Sequence, residues 1–366
     1  MRYQLMHRDV HVCDMTVEGS GLVPDPDGIL CPEHMPYGTT MCGGLDEDAF
    51  RGWWASRLIP PDREGQWILL DRLMADRAEP LAVAGGAVGL TDSYWVRPEG
   101  DDSKWMQTEV FHNRFGPEVG DMLMGRYMRN RPDTIRSPDL VTGGRMMKRW
   151  AVIDGRRGLV KTASGDDTRM VLNEVVASVI ADAVGVPHVG YRYLDHMGRH
   201  CCVCNGFVVG RGEFVSAEMF RETGGQHWYR DYTSTCRMMG LDVVPFLDGM
   251  IVLDFIIAHD RARRDYGIIR DPVDLRWLRP APVFDNADCL GVGPMEHCAF
   301  ADDPLGQLDL VSSWEPFDMD RIRAAVSAAE GMMSECTWVG DGARKEMASI
   351  LRERMEDLRR YISEKC

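Results

Sequence analysis

The most apolar stretch of the chain, Met250-Ile-Val-Leu-Asp-Phe-Ile-Ile-Ala258, runs straight into a loop crowded with charge, His259-Asp-Arg-Ala-Arg-Arg-Asp-Tyr-Gly267. A run this apolar belongs in a core, yet it is too short to span a bilayer and Asp254 interrupts it. It predicts a buried helix over Val243 to Ala258 that hands Asp260, and five residues on Asp265, to a loop at its end. A second apolar piece, Ala281-Pro-Val-Phe284, delivers Asp285. Helix capping and loop solvation explain most loop aspartates. They do not readily explain Asp285, because a carboxylate carried in by an apolar strand usually has a bound partner.

The bulk composition sets outer limits. At 366 residues the chain holds two domains, or one with a large extension, and 45% hydrophobic content is enough for real cores. With 57 acidic against 42 basic residues the net charge is −15. Such a surface repels nucleic-acid backbones and anionic membranes, so neither is an expected partner. The start, Met-Arg-Tyr-Gln-Leu-Met-His, has no apolar signal segment, and the 11 cysteines are an odd number, expected to be reduced in a cytoplasmic setting. His200-Cys-Cys-Val-Cys204 is a poor zinc site, because adjacent cysteines on a strand face opposite sides and no second CxxC pair exists. Cys289 and His297-Cys298 read as loop or core residues.

Three regions follow along the chain. Residues 1–130 are dense in Trp, Gly and Pro, with a short helix from Gln66 to Ala75 carrying Trp67, Leu70 and Met74 on one face. The polar, Pro-broken stretch Arg129 to Pro138 is the boundary candidate. In residues 131–210, Lys148 to Ile153 and Gly158 to Thr162 form a hairpin turning at Asp154-Gly155. A helix capped by Asp166-Asp-Thr168 runs to Val184 and stops at Gly185 and Pro187. A second hairpin, Tyr191 to Leu194 and His200 to Val209, turns at His196-Met-Gly198. Residues 211–366 read as mostly helical. Pro316-Phe-Asp-Met-Asp320 can cap a helix with Ile322, Val326, Ala329 and Met333 inward. The tail from Ala343 to Glu364 carries Met347, Ile350, Leu351, Met355, Leu358 and Ile362 on one stripe.

Strands, one helix, strands, then a helical block is the order of a two-lobed kinase-like fold. The expected class is α+β, with a β-rich small lobe, a mostly helical large lobe and an N-terminal extension. In such a frame Lys161, at the end of an apolar strand, neutralises nucleotide phosphates, and Glu174 in the next helix steadies it. Taken alone, Lys161 also reads as a surface lysine on an edge strand. Thr142-Gly143-Gly144 can bring backbone N–H groups to phosphates, with Lys148 adding positive charge. A bare Gly-Gly is more often only a turn. Asn205 to Phe207 falls where a base would meet a hinge, or is a plain strand end. Asp260 can orient a hydroxyl, and Asp265 and Asp285 are oxygen ligands suited to Mg²⁺.

Taken together, these fragments resemble the HipA-like serine/threonine protein kinases. The resemblance rests on Ser137-Pro-Asp-Leu-Val-Thr-Gly-Gly144, Lys148-Arg-Trp150, Leu159-Val-Lys161, Asn173-Glu174, Asp260-Arg261, Tyr266-Gly267 and Ala281-Pro-Val-Phe-Asp285. Leu5-Met-His-Arg-Asp9, Trp53-Trp54, Gly89-Leu-Thr-Asp92, Tyr94-Trp95 and Phe111-His-Asn113 resemble a bacterial subgroup with an additional N-terminal region. The resemblance implies ATP and Mg²⁺ as cofactors, Lys161 on the phosphates, Asp260 as the catalytic aspartate, and Asp265 and Asp285 on the metal. It also implies a protein substrate or self-phosphorylation. Some family members are toxins paired with a small antitoxin, and some autophosphorylate in the glycine loop, where Thr142 is the nearest hydroxyl here.

The catalytic loop departs from the family pattern, Asn-x-Asp-Arg-His-x-x-Asn-Phe-Gly. Ala258 stands for the first asparagine, Ala262 for the histidine and Asp265 for the metal-binding asparagine. The last change keeps an oxygen ligand and adds a negative charge. The alanines remove groups that would position the loop, and misplacement can cost orders of magnitude in rate. A pseudokinase that binds nucleotide or serves as an interaction module is therefore the alternative. A small-molecule or lipid kinase is a further one.

Overall fold

The computed structural model describes residues 2–18, 21–41, 44–163, 168–208, 212–221, 227–292 and 298–365. The first expected hairpin pairs strands Met147–Ile153 and Arg156–Thr162. Its turn residues, Asp154 and Gly155, both have positive φ (51° and 76°), as a tight two-residue turn requires. The second hairpin, Tyr191–His196 with Arg199–Asn205, turns the same way at Met197-Gly198. The two join into one antiparallel sheet, in the order Met147–Ile153, Arg156–Thr162, Arg199–Asn205, Tyr191–His196.

Helix Arg169–Val184 lies between this sheet and the helical lobe, which is why it is apolar on more than one side. Val171 packs with Tyr191, Cys202 and Cys204 of the sheet, while Leu172, Val176 and Ile180 join the core of the large lobe. Gly185 ends it at φ 84°. Of its expected caps, residues 166 and 167 lie outside the described residues. Thr168 makes no cap bond, and its hydroxyl instead donates to the Trp338 carbonyl at 3.1 Å. His297 and Val209 also lie outside the described residues.

The large lobe is built around helix Val244–Ile257, buried continuously from Phe246 to Ile257. A helix apolar all round has to be surrounded, and Trp228–Met238, Met319–Glu335 and Asp341–Lys365 contribute to the same core. Asp318 caps the second of these by accepting from the Asp320 and Arg321 amides, and Ile322, Val326, Ala329 and Met333 point inward. Met347, Leu351 and Leu358 are the buried stripe of the last.

The stretch beyond Gly212 is mostly helical, as expected, and it also carries a three-stranded antiparallel sheet of Glu213–Ser216, Gly267–Arg270 and Trp277–Pro280. Short apolar runs such as Gly267-Ile-Ile-Arg270 carry too few residues for periodicity to separate strand from helix. In helix Gln66–Leu73 the inward residues are Ile68 and Leu69, while Trp67 is 64% exposed. Two turns with apolar residues on several sides gave no unique face.

The N-terminal region has its own antiparallel sheet, in the order Gly21–Ile29, Val10–Glu18, Arg2–His7, Tyr94–Pro98. Helices Glu47–Arg57, Gln66–Leu73, Ala78–Ala84 and Pro117–Leu123 accompany it. Trp53 and Trp54 build its core together with Leu5, Phe50 and Met122, and that core takes in Leu140 and Val141. Trp95 and Trp105 meet Trp150 of the small-lobe sheet in a second cluster. The whole is a bilobal α+β chain with an N-terminal extension, as the element order predicts.

A buried polar network ties the extension to the large lobe. Glu213 accepts from His7 at 2.7 Å and from the Arg270 guanidinium at 2.8 and 2.5 Å, and Arg270 also donates to the Tyr94 hydroxyl at 3.2 Å. Burial alone would raise the Glu213 carboxyl, but His7 and then Arg270 overcome it and hold its pKa down at about 2. A depressed carboxylate contributes its stability above its unfolded value of 4.5 and loses it as pH falls toward about 2. Glu213→Gln should therefore cost on the order of 3 kcal/mol at neutral pH. It should also flatten the acid dependence of urea unfolding in that window. An unchanged acid slope in the variant would contradict the assignment.

Candidate functional site

Strand Arg156–Thr162 carries Lys161 toward helix Arg169–Val184, whose second turn offers Glu174. The Lys161 ammonium donates to Glu174 Oε1 at 2.6 Å, to Asp285 Oδ1 at 2.7 Å and to the Tyr191 hydroxyl at 3.2 Å. Both Lys161 and Glu174 are buried. Burial would lower the lysine, but Asp285 and Glu174 raise it well above its ordinary value. Burial would likewise raise Asp285, but Lys161 and then Lys148 hold it well below the carboxylate range. The pair therefore stays charged across the physiological range.

The helix also fixes the loop that carries Asp285. Glu174 Oε2 accepts the Asn286 amide at 2.8 Å. Asn173 Nδ2 donates to the carbonyls of Ala287 at 2.8 Å and Cys289 at 2.6 Å. Two consecutive helix residues thus set both the lysine and the acidic loop.

From the other side, Asp254 explains itself. The residue that interrupts the apolar helix holds Arg261, whose Nε and Nη2 donate to its oxygens at 2.9 and 2.7 Å. Arg261 also donates to the Phe284 carbonyl at 2.9 Å and to Asn286 Oδ1 at 2.7 Å. His259 Nε2 lies 3.1 Å from the Asp285 carbonyl, across a residue held at φ 59°. Burial, helped by Arg261, lowers the His259 pKa to about 4, so the ring is neutral and donates at this contact.

One cavity of about 750 Å³ collects nearly every residue singled out in the sequence. Thr142, Gly143, Gly144, Lys148, Lys161, Asn205, Phe207, Asp260, Asp265 and Asp285 all line it, and Glu174 sits behind Lys161. In its wall Phe207 stacks on Phe284, with Leu159, Val189 and Cys204 adding apolar surface. Asp260 and Asp265 also line it, as does Ala262, which brings no hydrogen-bonding group. Burial first, and then the Asp285 charge, raise the Asp265 pKa to about 7. The N-terminal region supplies further wall through Trp53, Ser56 and Leu58.

The glycine loop adds the remaining pieces. Lys148 sits opposite Lys161 in the sheet register and is buried, and its ammonium makes no hydrogen bond or ion pair among the described residues. Burial lowers its pKa to about 8 against the pull of Asp285. Gly144 has φ 86°, and a Cβ there would fall 2.5 Å from Lys148 Nζ. Thr142 reaches the cavity, but its hydroxyl donates to the Pro138 carbonyl at 2.7 Å and accepts from the Trp150 indole at 2.9 Å. Asn173, Asp254, His259, Arg261 and Asn286 hold the site together without having been assigned a role from the sequence. Asn173 and Arg261 do stand in the motifs quoted above, and Asp254 gave a signal as a carboxylate inside the most apolar run, which needs a cationic partner.

No protein-family model and no curated protein matches this chain in sequence. Among solved structures, the Shewanella oneidensis MR-1 toxin–antitoxin protein HipA, solved with HipB and operator DNA, is similar over 99% of this chain and 97% of its own, with a TM-score of 0.55 and 14% identity. The Helicobacter pylori proinflammatory kinase CtkA matches over 61% of this chain and 94% of its own, with a TM-score of 0.45 and 15% identity. The first likeness, which spans the whole chain, gives it a HipA-like, bilobal kinase-type fold.

Removing Arg261 should test how the two acidic loops are joined. Arg261→Ala leaves Asp254 buried and uncompensated, with an expected cost of about 3–5 kcal/mol. Asp254→Asn combined with Arg261→Ala should recover part of that loss in chemical denaturation. Additive losses would show that the pair does not act as one unit.

Proposed function

We propose that this HipA-like fold serves an ATP- and Mg²⁺-dependent phosphotransferase that moves a γ-phosphoryl group to a Ser or Thr hydroxyl of a protein, or of the chain itself. The observation that carries the reading is the buried Lys161–Glu174 pair joined to Asp285, which opens onto the same cavity as Asp260. Three features suit a polyphosphate. The Lys148 side chain is buried and its ammonium makes no hydrogen bond or ion pair among the described residues, the Gly143 and Gly144 amides are likewise without partners there, and Lys161 is already charged. Asp265 and Asp285 would hold Mg²⁺, which when bound neutralises phosphate charge. Asp260 would orient the attacking hydroxyl and take up its proton. The apolar slot of Phe207, Phe284 and Leu159 suits a purine ring. Arg264, whose Nε lies 3.9 Å from Asp265, offsets part of the charge that this aspartate adds where the family has asparagine.

A nucleotide-binding pseudokinase is the second reading. It is favoured by Ala262, which lies in the cavity beside Asp260 where the family places a histidine. A small antitoxin-like protein partner belongs to the first reading, supported by a similar structure solved with HipB and operator DNA.

Labelled ATP with Mg²⁺ and cell lysate separates these readings. Asp260→Asn should keep ATP affinity and lower transfer by about 10²-fold or more, the scale of a lost general base. Asp285→Asn should lose the Mg²⁺-dependent part of ATP binding. Full transfer by Asp260→Asn would sink its assigned role. ATP binding by the wild type without labelled product would favour the pseudokinase, and label in a lipid or small-molecule extract would change the acceptor class.

A further inference from the structure

Arg63 lies in the N-terminal region, 81 residues before Gly144, and its guanidinium is buried against the glycine loop. Its Nε and Nη2 donate to the Gly144 carbonyl at 2.8 and 2.6 Å, and Nη2 also donates to the Thr142 carbonyl. The loop meets the N-terminal region a second time at Gly143, where a Cβ would fall 2.7 Å from the Ser56 carbonyl. From these contacts we infer that Arg63 is the positioning residue of the phosphate-binding loop, so that the N-terminal region sets the nucleotide site's affinity for phosphates.

In a trans peptide the N–H points opposite to the carbonyl of the preceding residue. With the Thr142 carbonyl turned to Arg63, the Gly143 N–H faces away from it. Gly143 and Gly144 line the cavity, and neither amide has a hydrogen-bond partner among the described residues. Arg63 therefore holds two acceptors out of an anion site and leaves the Gly143 N–H turned to it. Without the clamp, carbonyl oxygens can rotate toward the phosphates and repel them.

The clamp is itself held. The Arg63 amide donates to the Pro60 carbonyl at 3.0 Å, and its carbonyl accepts the Gln66 amide at 3.3 Å. Gly65 has φ 86°, and a Cβ there would fall 2.5 Å from the Leu123 carbonyl. The turn is thereby seated on the helix that packs against strand Met147–Ile153. Glycines at 65, 143 and 144 let the turn, the loop and Lys148 approach at these distances.

The inference rests on the nucleotide reading, and its test separates the two. Mg²⁺-ATP and adenosine are titrated against the full-length wild type, Arg63→Ala and Arg63→Lys. In Arg63→Ala, ATP affinity should fall about 10-fold or more, as when a supporting shell is lost, while adenosine affinity stays within about twofold. Arg63→Lys, able to donate to one carbonyl, should recover part of the loss, and it carries the test if Arg63→Ala fails to fold. Hydrogen exchange across residues 142–146 should quicken in the same order. Equal weakening of ATP and adenosine, or weakening of neither, overturns the positioning role and leaves the nucleotide reading standing. Failure of the wild type to bind ATP overturns both.

Discussion

The Lys161 ammonium is the point on which the rest of the cleft depends. It is buried, and a buried cation without partners would deprotonate or unfold its surroundings. Its partners come from three places: a helix through Glu174, a strand through Tyr191, and the large lobe through Asp285. Satisfying one charge therefore requires the small-lobe sheet, the interlobe helix and the acidic loop to be in place together. Glu174 extends the constraint, because its second oxygen binds the backbone next to Asp285. The ion pair is weak evidence for stability and good evidence for register, since breaking it leaves an uncompensated charge.

How much was legible in the sequence follows from how local each feature is. The hairpins were readable because their turns, Asp154-Gly155 and Met197-Gly198, announce positive φ within two residues. Lys161 and Glu174 are 13 residues apart and sit on adjacent elements, so strand and helix patterns were enough to place them. Residues that meet across long separations left no such trace. His7 reaches Glu213 over 206 residues, and Arg63 reaches Gly144 over 81. Neither pair has a spacing rule. The three-stranded sheet escaped for the same reason, because Glu213–Ser216 finds its partner only at Gly267–Arg270. Trp67 misled because a helix of two turns can turn either of two apolar sides inward.

The N-terminal region is more than an appendage in physical terms. Its tryptophans build a core and also meet Trp150 of the small lobe. Its Glu213 network, with His7 and Tyr94 on one side and Arg270 on the other, bolts it to the large lobe. Touching both lobes, it fixes the cleft between them and lines one side of the cavity. A chain lacking this region would expose the apolar faces of Trp150 and Val141 and leave Glu213 and Arg270 without His7 and Tyr94. The small-lobe sheet is therefore not a free-standing unit here.

The loop that follows helix Val244–Ile257 has its own set of supports. Ala258 sits at φ 51°, a conformation that costs a non-glycine residue roughly 1–2 kcal/mol and that asparagine tolerates better. The loop accepts that strain because the helix end is held by other means: the His259 amide donates to the Asp254 carbonyl at 2.9 Å, and Arg261 grips the Asp254 carboxylate. His259 and Arg261 in turn hold the Asp285 loop through its backbone carbonyls. Asp260 lies between these two anchored residues, so its backbone is fixed on both sides without the asparagine and histidine of the family pattern. What Ala262 does remove is a polar side chain in the cavity itself. The loss therefore falls on contacts to an incoming group rather than on the placement of Asp260.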